Sequence, residues 1–176
     1  MKRVLSTVCC LALCSVALLA QKRAARAAPM SDQQFITFAA QTDMAEANLG
    51  QLAQNVAASQ AVKDYGQMLE TDHTANYNKL WNLAQQAKAT VPGAIDSQIN
   101  TALIGPMNKL KGKVFDRRYI HEMIVGHTKA IATFKQEADA ATDPTIKSYA
   151  QDTIPVLQKH LDDAKAIEQG KTPPNM

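Results

Sequence analysis

No cysteine follows residue 14 in this 176-residue chain. Cys9, Cys10 and Cys14 all fall in an N-terminal segment that reads as a leader. The rest of the chain therefore has no disulfide, no thiolate metal site and no cysteine nucleophile. Aromatic residues make up only 5%, and runs of β-branched residues are few, which argues against a sheet. The seven glycines form no phosphate-cradling loop. No Ser-His-Asp order and no pair of acid–base carboxylates is present, so hydrolase and nucleotide-binding chemistry lack their residues.

Excess positive charge is also missing once the leader is set aside. Met1-Lys2-Arg3 is a basic start, residues 4–20 are apolar and uncharged, and Ala25-Arg26-Ala27 fits a small-x-small cleavage site. The spacing predicts a signal peptide over 1–27, a domain over 28–170 and a flexible tail over 171–176, with the mature protein periplasmic or secreted. A seventeen-residue run is short for a membrane-spanning helix. A retained N-terminal anchor is the alternative, because Lys22, Arg23 and Arg26 sit between the run and the cut. Leu13, just before Cys14, is too bulky to suit a lipidation site. The leader carries five of the nineteen basic residues and no acid, leaving 14 basic against 16 acidic residues, a net −2. This balance leaves no footprint for nucleic acid or an anionic membrane, and no membrane insertion of the mature chain is expected.

What remains is rich in Ala, Gln, Lys and Leu, and it is helical in pattern throughout. Four long amphipathic helices are predicted, over 31–58, 61–88, 113–141 and from after the turn at Thr142-Asp143-Pro144 to near 170. Ser31 serves as N-cap of the first, and Val91-Pro92-Gly93 is expected to end the second. Pro155 should kink the fourth. Residues 89–112 hold a short helix over 96–103 broken at Gly105-Pro106. Two tight turns and one long middle link are the connection pattern of a ferritin-like four-helix bundle with a long crossover; an up-down-up-down bundle with a decorated middle loop is the alternative. A faint repeat pairs Tyr65-x7-His73-Thr74-x5-Leu80 with Tyr119-x7-His127-Thr128-x5-Phe134.

Each helix carries one conspicuous polar side chain on its apolar stripe: Glu46, His73, His127 and His160 in order. His121 falls about 240° around its helix from His127 and should face solvent. Glu46 is fourteen residues before Gln60 in the first turn and His73 thirteen after it. His127 is sixteen before Asp143 in the second turn and His160 seventeen after it. In antiparallel hairpins each pair faces across, and all four share one level. Imidazoles and carboxylates converging in a bundle core are how such folds build metal sites. Asp43, Glu70 and Asp163 lie one turn from these positions, and Glu70-x-x-His73 has a spacing that can put both side chains on one metal. The expected ligands are Glu46, Glu70, His73, His127 and His160; the metal is zinc, copper or iron, all of which accept imidazole with carboxylate. Met123, four residues before His127, could add a thioether or simply fill core. The competing reading is a buried Glu/His network that only specifies the core of a non-catalytic envelope protein with a protein partner.

Several stretches together resemble a known family. They are Phe35-x3-Ala39-Ala40-x3-Met44-x-Glu46-x2-Leu49-Gly50-x-Leu52-Ala53, Met68-Leu69-Glu70-Thr71-Asp72-His73, Phe115-Asp116-x2-Tyr119, Met123-x3-His127 and Pro155-x-Leu157-x2-His160-Leu161. The chain resembles, over about 33–167, the bacterial domain-of-unknown-function family 4142, often labelled "predicted outer membrane protein". The resemblance implies an exported ferritin-like bundle and no agreed activity. Di-iron members of the wider ferritin-like group use Glu, Glu-x-x-His, Glu and Glu-x-x-His on successive helices. Glu46 and Glu70-x-x-His73 match the first half. His127 replaces the third-helix Glu, and Leu157-x-x-His160 lacks the fourth-helix Glu. A symmetric di-iron oxidoreductase is therefore not expected, while a mononuclear Glu/His site survives, and the chain is read as a binding protein rather than an enzyme.

Overall fold

The computed structural model describes residues 30–173, so the leader lies outside the described residues. Five helices are present among them: α1 (Asp32–Val56), α2 (Gln60–Gln86), a short α3 over 97–107, α4 (Gly112–Ala140) and α5 (Pro144–Glu168). No described helix is long and apolar enough to cross a membrane.

Helix ends follow local chemistry. Ser31 and Gln34 close a reciprocal capping box at the start of α1, with Ser31 Oγ accepting from the Gln34 amide and Gln34 Oε1 from the Ser31 amide. Asp143 accepts from the Thr145 and Ile146 amides at the start of α5, where Pro144 needs no donor of its own. The second helix stops at Gln86, before Val91-Pro92-Gly93, because Lys88 turns into the left-handed region (φ 54°) and the Ala89 amide reaches back to Ala84. The break expected at Gly105-Pro106 does not occur. A π turn over Asn100–Ile104 lets the chain run on as helix through Met107, with the Gly105 amide donating to Asn100. The fourth long helix likewise continues through Pro155.

Two aspartates set the topology. Asp116, near the start of α4, accepts from the Ala58 and Ser59 amides of the α1–α2 turn, both at 3.0 Å, and so pins the turn in front of α2. Asp32, at the start of α1, accepts from the Thr142 hydroxyl (2.8 Å) and the Asp143 amide (3.2 Å) of the α4–α5 turn. Each end of α1 is thus tied to the opposite end of α4, so the two are antiparallel. Helix α2 is antiparallel to α1 through the tight turn, which makes α2 and α4 parallel. Packing of α1 on α2 and α4, and of α5 on α4 and α2, leaves α2 and α4 diagonal. The link between them must travel the length of the bundle, the connectivity of ferritin-like folds.

An extended crossover needs partners for its backbone. Two glutamine amides, eight residues apart on α1, supply them. Gln33 donates to the Thr90 carbonyl and accepts from its amide; Gln41 donates to Ala94 and accepts from the Asp96 amide. The Tyr77 hydroxyl donates to the Pro92 carbonyl from α2. Helix α3 then buries Ile104 and Met107 in the core.

The core is two apolar clusters with a polar layer between. One contains Phe35, Leu80, Phe134, Tyr149 and Leu157; the other contains Leu49, Tyr65, Leu69, Phe115 and Tyr119. The repeated residues meet across the parallel diagonal. Tyr65 and Tyr119 sit edge to face at 6.1 Å in one cluster, and Leu80 and Phe134 share the other. After α5 the chain leaves helix at residues 171–173, where Pro173 is buried; residues 174–176 lie outside the described residues.

Helices α1 and α2 cross at glycine. A Cβ on Gly50 would stand 2.5 Å from the Gly66 carbonyl oxygen and 2.9 Å from the Glu70 amide nitrogen, both backbone atoms that cannot swing aside. Gly50→Ala should therefore destabilise the protein by about 1–3 kcal/mol despite alanine's better helix propensity. Gly93→Ala, where nothing lies within 4 Å, should stay within about 0.5 kcal/mol of wild type. Urea midpoints check both, and an unchanged midpoint for Gly50→Ala would place the control of helix spacing elsewhere.

Candidate metal centre

Glu46, His73, His127 and His160 meet between the two apolar clusters, one from each long helix, and each is at most 5% exposed. Glu46 Oε2 lies 2.8 Å from His73 Nε2 and 3.2 Å from His127 Nε2. His127 Nε2 lies 3.2 Å from His160 Nδ1. The three imidazoles present ligand nitrogens all within 4.8 Å of one another. Gly126, beside His127, makes room for the carboxylate, since a Cβ there would stand 3.1 Å from Glu46 Oε1.

The outward nitrogens of the three rings are all committed. His73 Nδ1 donates to Asp43 Oδ1 at 2.8 Å. Asp43 is held in turn by Asn76 Nδ2, at 3.1 and 2.9 Å to its two oxygens, and Asn76 also donates to the Tyr149 hydroxyl. His127 Nδ1 donates to the Met123 carbonyl at 2.9 Å. His160 Nε2 donates to Asp72 Oδ2 at 2.9 Å. Carbonyl and carboxylate oxygens only accept, so these outward nitrogens carry the hydrogens and the inward nitrogens of neutral rings carry lone pairs. This is the arrangement in which a second carboxylate or carbonyl orients a metal-binding imidazole.

Electrostatics divide the rings. Burial pulls His73 down, but the Glu46 charge close to it and the hydrogen bond to Asp43 outweigh it and hold its pKa at about 10. Burial is offset only in part by Glu46 at His127, which stays below the usual histidine range. At His160 burial, reinforced by the other two imidazoles, pushes the pKa to about 2. Glu46 is held below its ordinary value, because the nearby His127 and His73 overcome the cost of burial. His73 can therefore hold a proton between two carboxylates, while burial makes His127 and His160 the harder rings to protonate. The His73–Glu46 contact is short yet out of line, so His73 Nε2 and Glu46 Oε2 make no aligned hydrogen bond among the described residues.

Such a donor set fits a cation. Four donors on a tetrahedral ion, each at about 2.0–2.1 Å, stand about 3.3 Å apart. Three of the six separations here are 2.8, 3.2 and 3.2 Å, and the imidazole nitrogens as a group lie within 4.8 Å. Three imidazoles and a carboxylate suit zinc, copper(II) or iron.

Of the other sequence candidates, Glu70 does not join the group: its Oε2 accepts from Gln54 Nε2 at 2.6 Å on the α1–α2 face. Asp163 is fully buried, His121 is exposed, and Met123 contributes its backbone carbonyl and packs its side chain in the core. Asp72 and Asn76 join the layer as hydrogen-bond partners without being among the expected ligands. Asn76 sits one turn beyond His73 on the same face and was open to the same spacing argument. Asp72, one residue before His73, points off the stripe toward α5, and no helical periodicity marks it.

A family model described as "Domain of unknown function (DUF4142)" matches residues 17–167. No curated protein and no solved structure matches the chain.

Removing Asp43 alone would strand the His73 Nδ1 hydrogen in the core and leave half-buried Asn76 only its bond to Tyr149. Asp43→Ala should cost about 3–5 kcal/mol, measured by urea unfolding with chelator present. A loss under 1 kcal/mol would mean that Asp43 does not anchor the layer.

Proposed function

The chain belongs to the DUF4142 family of domains of unknown function, and we propose that it is an exported protein holding one first-row divalent metal ion through Glu46, His73, His127 and His160. One observation carries this reading: with their outward nitrogens engaged elsewhere, His127 Nε2 and His160 Nδ1 face each other at 3.2 Å in a buried layer beside Glu46 Oε2. Neutral rings bonded outward in this way turn two lone pairs toward each other, and a metal ion or a proton between them relieves the repulsion. Export rests on the leader sequence. All four donors come from the chain, which suits a closed site that stores, buffers or is braced by its metal, rather than one that opens a position to substrate.

A second reading is supported by the two ion pairs at 2.8 Å around His73. A proton on that ring would link Asp43 and Glu46 and make the layer a purely structural network. Function would then rest on a partner. Among the described residues the exposed large apolar side chains, Met30, Trp81, Val114, Val125 and Val156, are spread over the segment before α1 and over α2, α4 and α5, so they do not favour that reading over the metal.

Elemental analysis of protein purified without chelator or affinity tag should find close to one zinc, copper or iron per chain, lost in His127→Ala. Zinc at a hundredfold excess over its Kd should raise the stability of wild type by about 2.7 kcal/mol and leave the variant unmoved. Less than a tenth of a metal per chain after reconstitution, with no shift in stability, would establish the proton network instead.

A further inference from the structure

A groove of about 380 Å³ lies between α1, α2 and residues 93–95 of the crossover. Its floor includes His73 and Asp43, and its wall includes Glu70 and Met44. Two carboxylates face it, and none of the described residues lining it is a lysine or arginine. A second groove, about 450 Å³, opens between α2 and α5 and reaches Asp72, the outward partner of His160. There the two aspartates, Asp72 and Asp152, are balanced by Lys79 and Lys159. Both grooves therefore touch the outer edge of the polar layer; in the first, Asp43 is paired with His73, which leaves Glu70 as a carboxylate with no lysine or arginine lining the groove beside it. Fields from like charges lining a cleft concentrate counter-ions within it.

We propose that the α1–α2 groove is the route by which a hydrated divalent cation reaches the buried centre, with Glu70 attracting it and Met44 bounding its path. The proposal rests on the metal reading above. It gives Glu70 a role that its bond to Gln54 allows: Oε2 is engaged at 2.6 Å, and the carboxylate stays half-buried beside the groove instead of entering the centre. His73 borders both the groove and the centre, with Nδ1 held by Asp43 and Nε2 facing Glu46, so its ring is the boundary that an entering cation passes. The crossover closes the groove's third side, and its position is fixed by Gln41 and Tyr77.

Cobalt(II) uptake by the metal-free full-length mature protein, followed by its visible absorption in a stopped-flow instrument, tests the route separately from the site. Glu70→Lys should slow association about tenfold, with less dependence on salt than wild type shows. Met44→Trp should slow association and dissociation together, with equilibrium affinity within threefold of wild type. Lys79→Ala, in the other groove, should change neither. Circular dichroism and urea midpoints confirm that each variant folds. Unchanged association in both α1–α2 variants, or faster uptake in Lys79→Ala, would overturn the route and place access between α2 and α5. Dissociation accelerated more than about tenfold in Glu70→Lys, a loss of affinity well beyond what slower association produces, would make Glu70 a ligand and also overturn it. No uptake by wild type would overturn the metal reading itself, and the route with it.

Discussion

A layer of ionisable side chains across the middle of an apolar core can persist only if its polar atoms find partners there. Moving an unpaired charge out of water costs several kcal/mol. Here the cost is met outward first: Asp43, the Met123 carbonyl and Asp72 each take one imidazole N–H. Asn76 then satisfies Asp43 and ties it to Tyr149. What the outward bonds cannot supply is a partner for the inward lone pairs. The rest of the architecture follows from holding those inward atoms close together. Glycines at 50 and 66 let α1 and α2 approach within backbone contact, and Gly126 leaves space for the Glu46 carboxylate.

The long crossover has its own place in this geometry. By sending the chain back along the bundle, it makes α2 and α4 parallel. Equivalent positions on the two helices then stand at equal heights. Tyr65 and His73 are eight residues apart, as are Tyr119 and His127. The tyrosines meet in one apolar cluster, and the histidine rings stand 5.7 Å apart one layer above. An up-down-up-down connection would have made α2 and α4 antiparallel and scrambled that match.

Much of this was legible in periodicity. Stripe residues named the helices, and distances counted from the two turns placed Glu46 against His73 and His127 against His160. Counting works because an α-helix rises by a fixed amount per residue and a tight turn sets both strands of a hairpin to one origin. It says less about direction. Glu70 shares a face with His73 by spacing, yet its side chain leans toward Gln54 at the groove. Asp72 lies off the stripe and is drawn in by α5, a helix 88 residues away. The run of helix through Gly105-Pro106 depends on a π turn, a local choice that proline's missing donor permits but does not announce.

The source of the donors bears on what a bound ion would do. The α1–α2 hairpin supplies Glu46 and His73, and the α4–α5 hairpin supplies His127 and His160. Each hairpin packs more extensively within itself than on the other. An ion held by all four would therefore join the two units at their weaker junction, at mid-height, where the apolar clusters are interrupted. Most of its binding energy would appear as resistance to separation of the hairpins rather than as local rigidity in any one helix. A closed site of this kind links metal occupancy to the integrity of the whole bundle, and that link is the physical basis on which such a protein could either depend on its metal or report its supply.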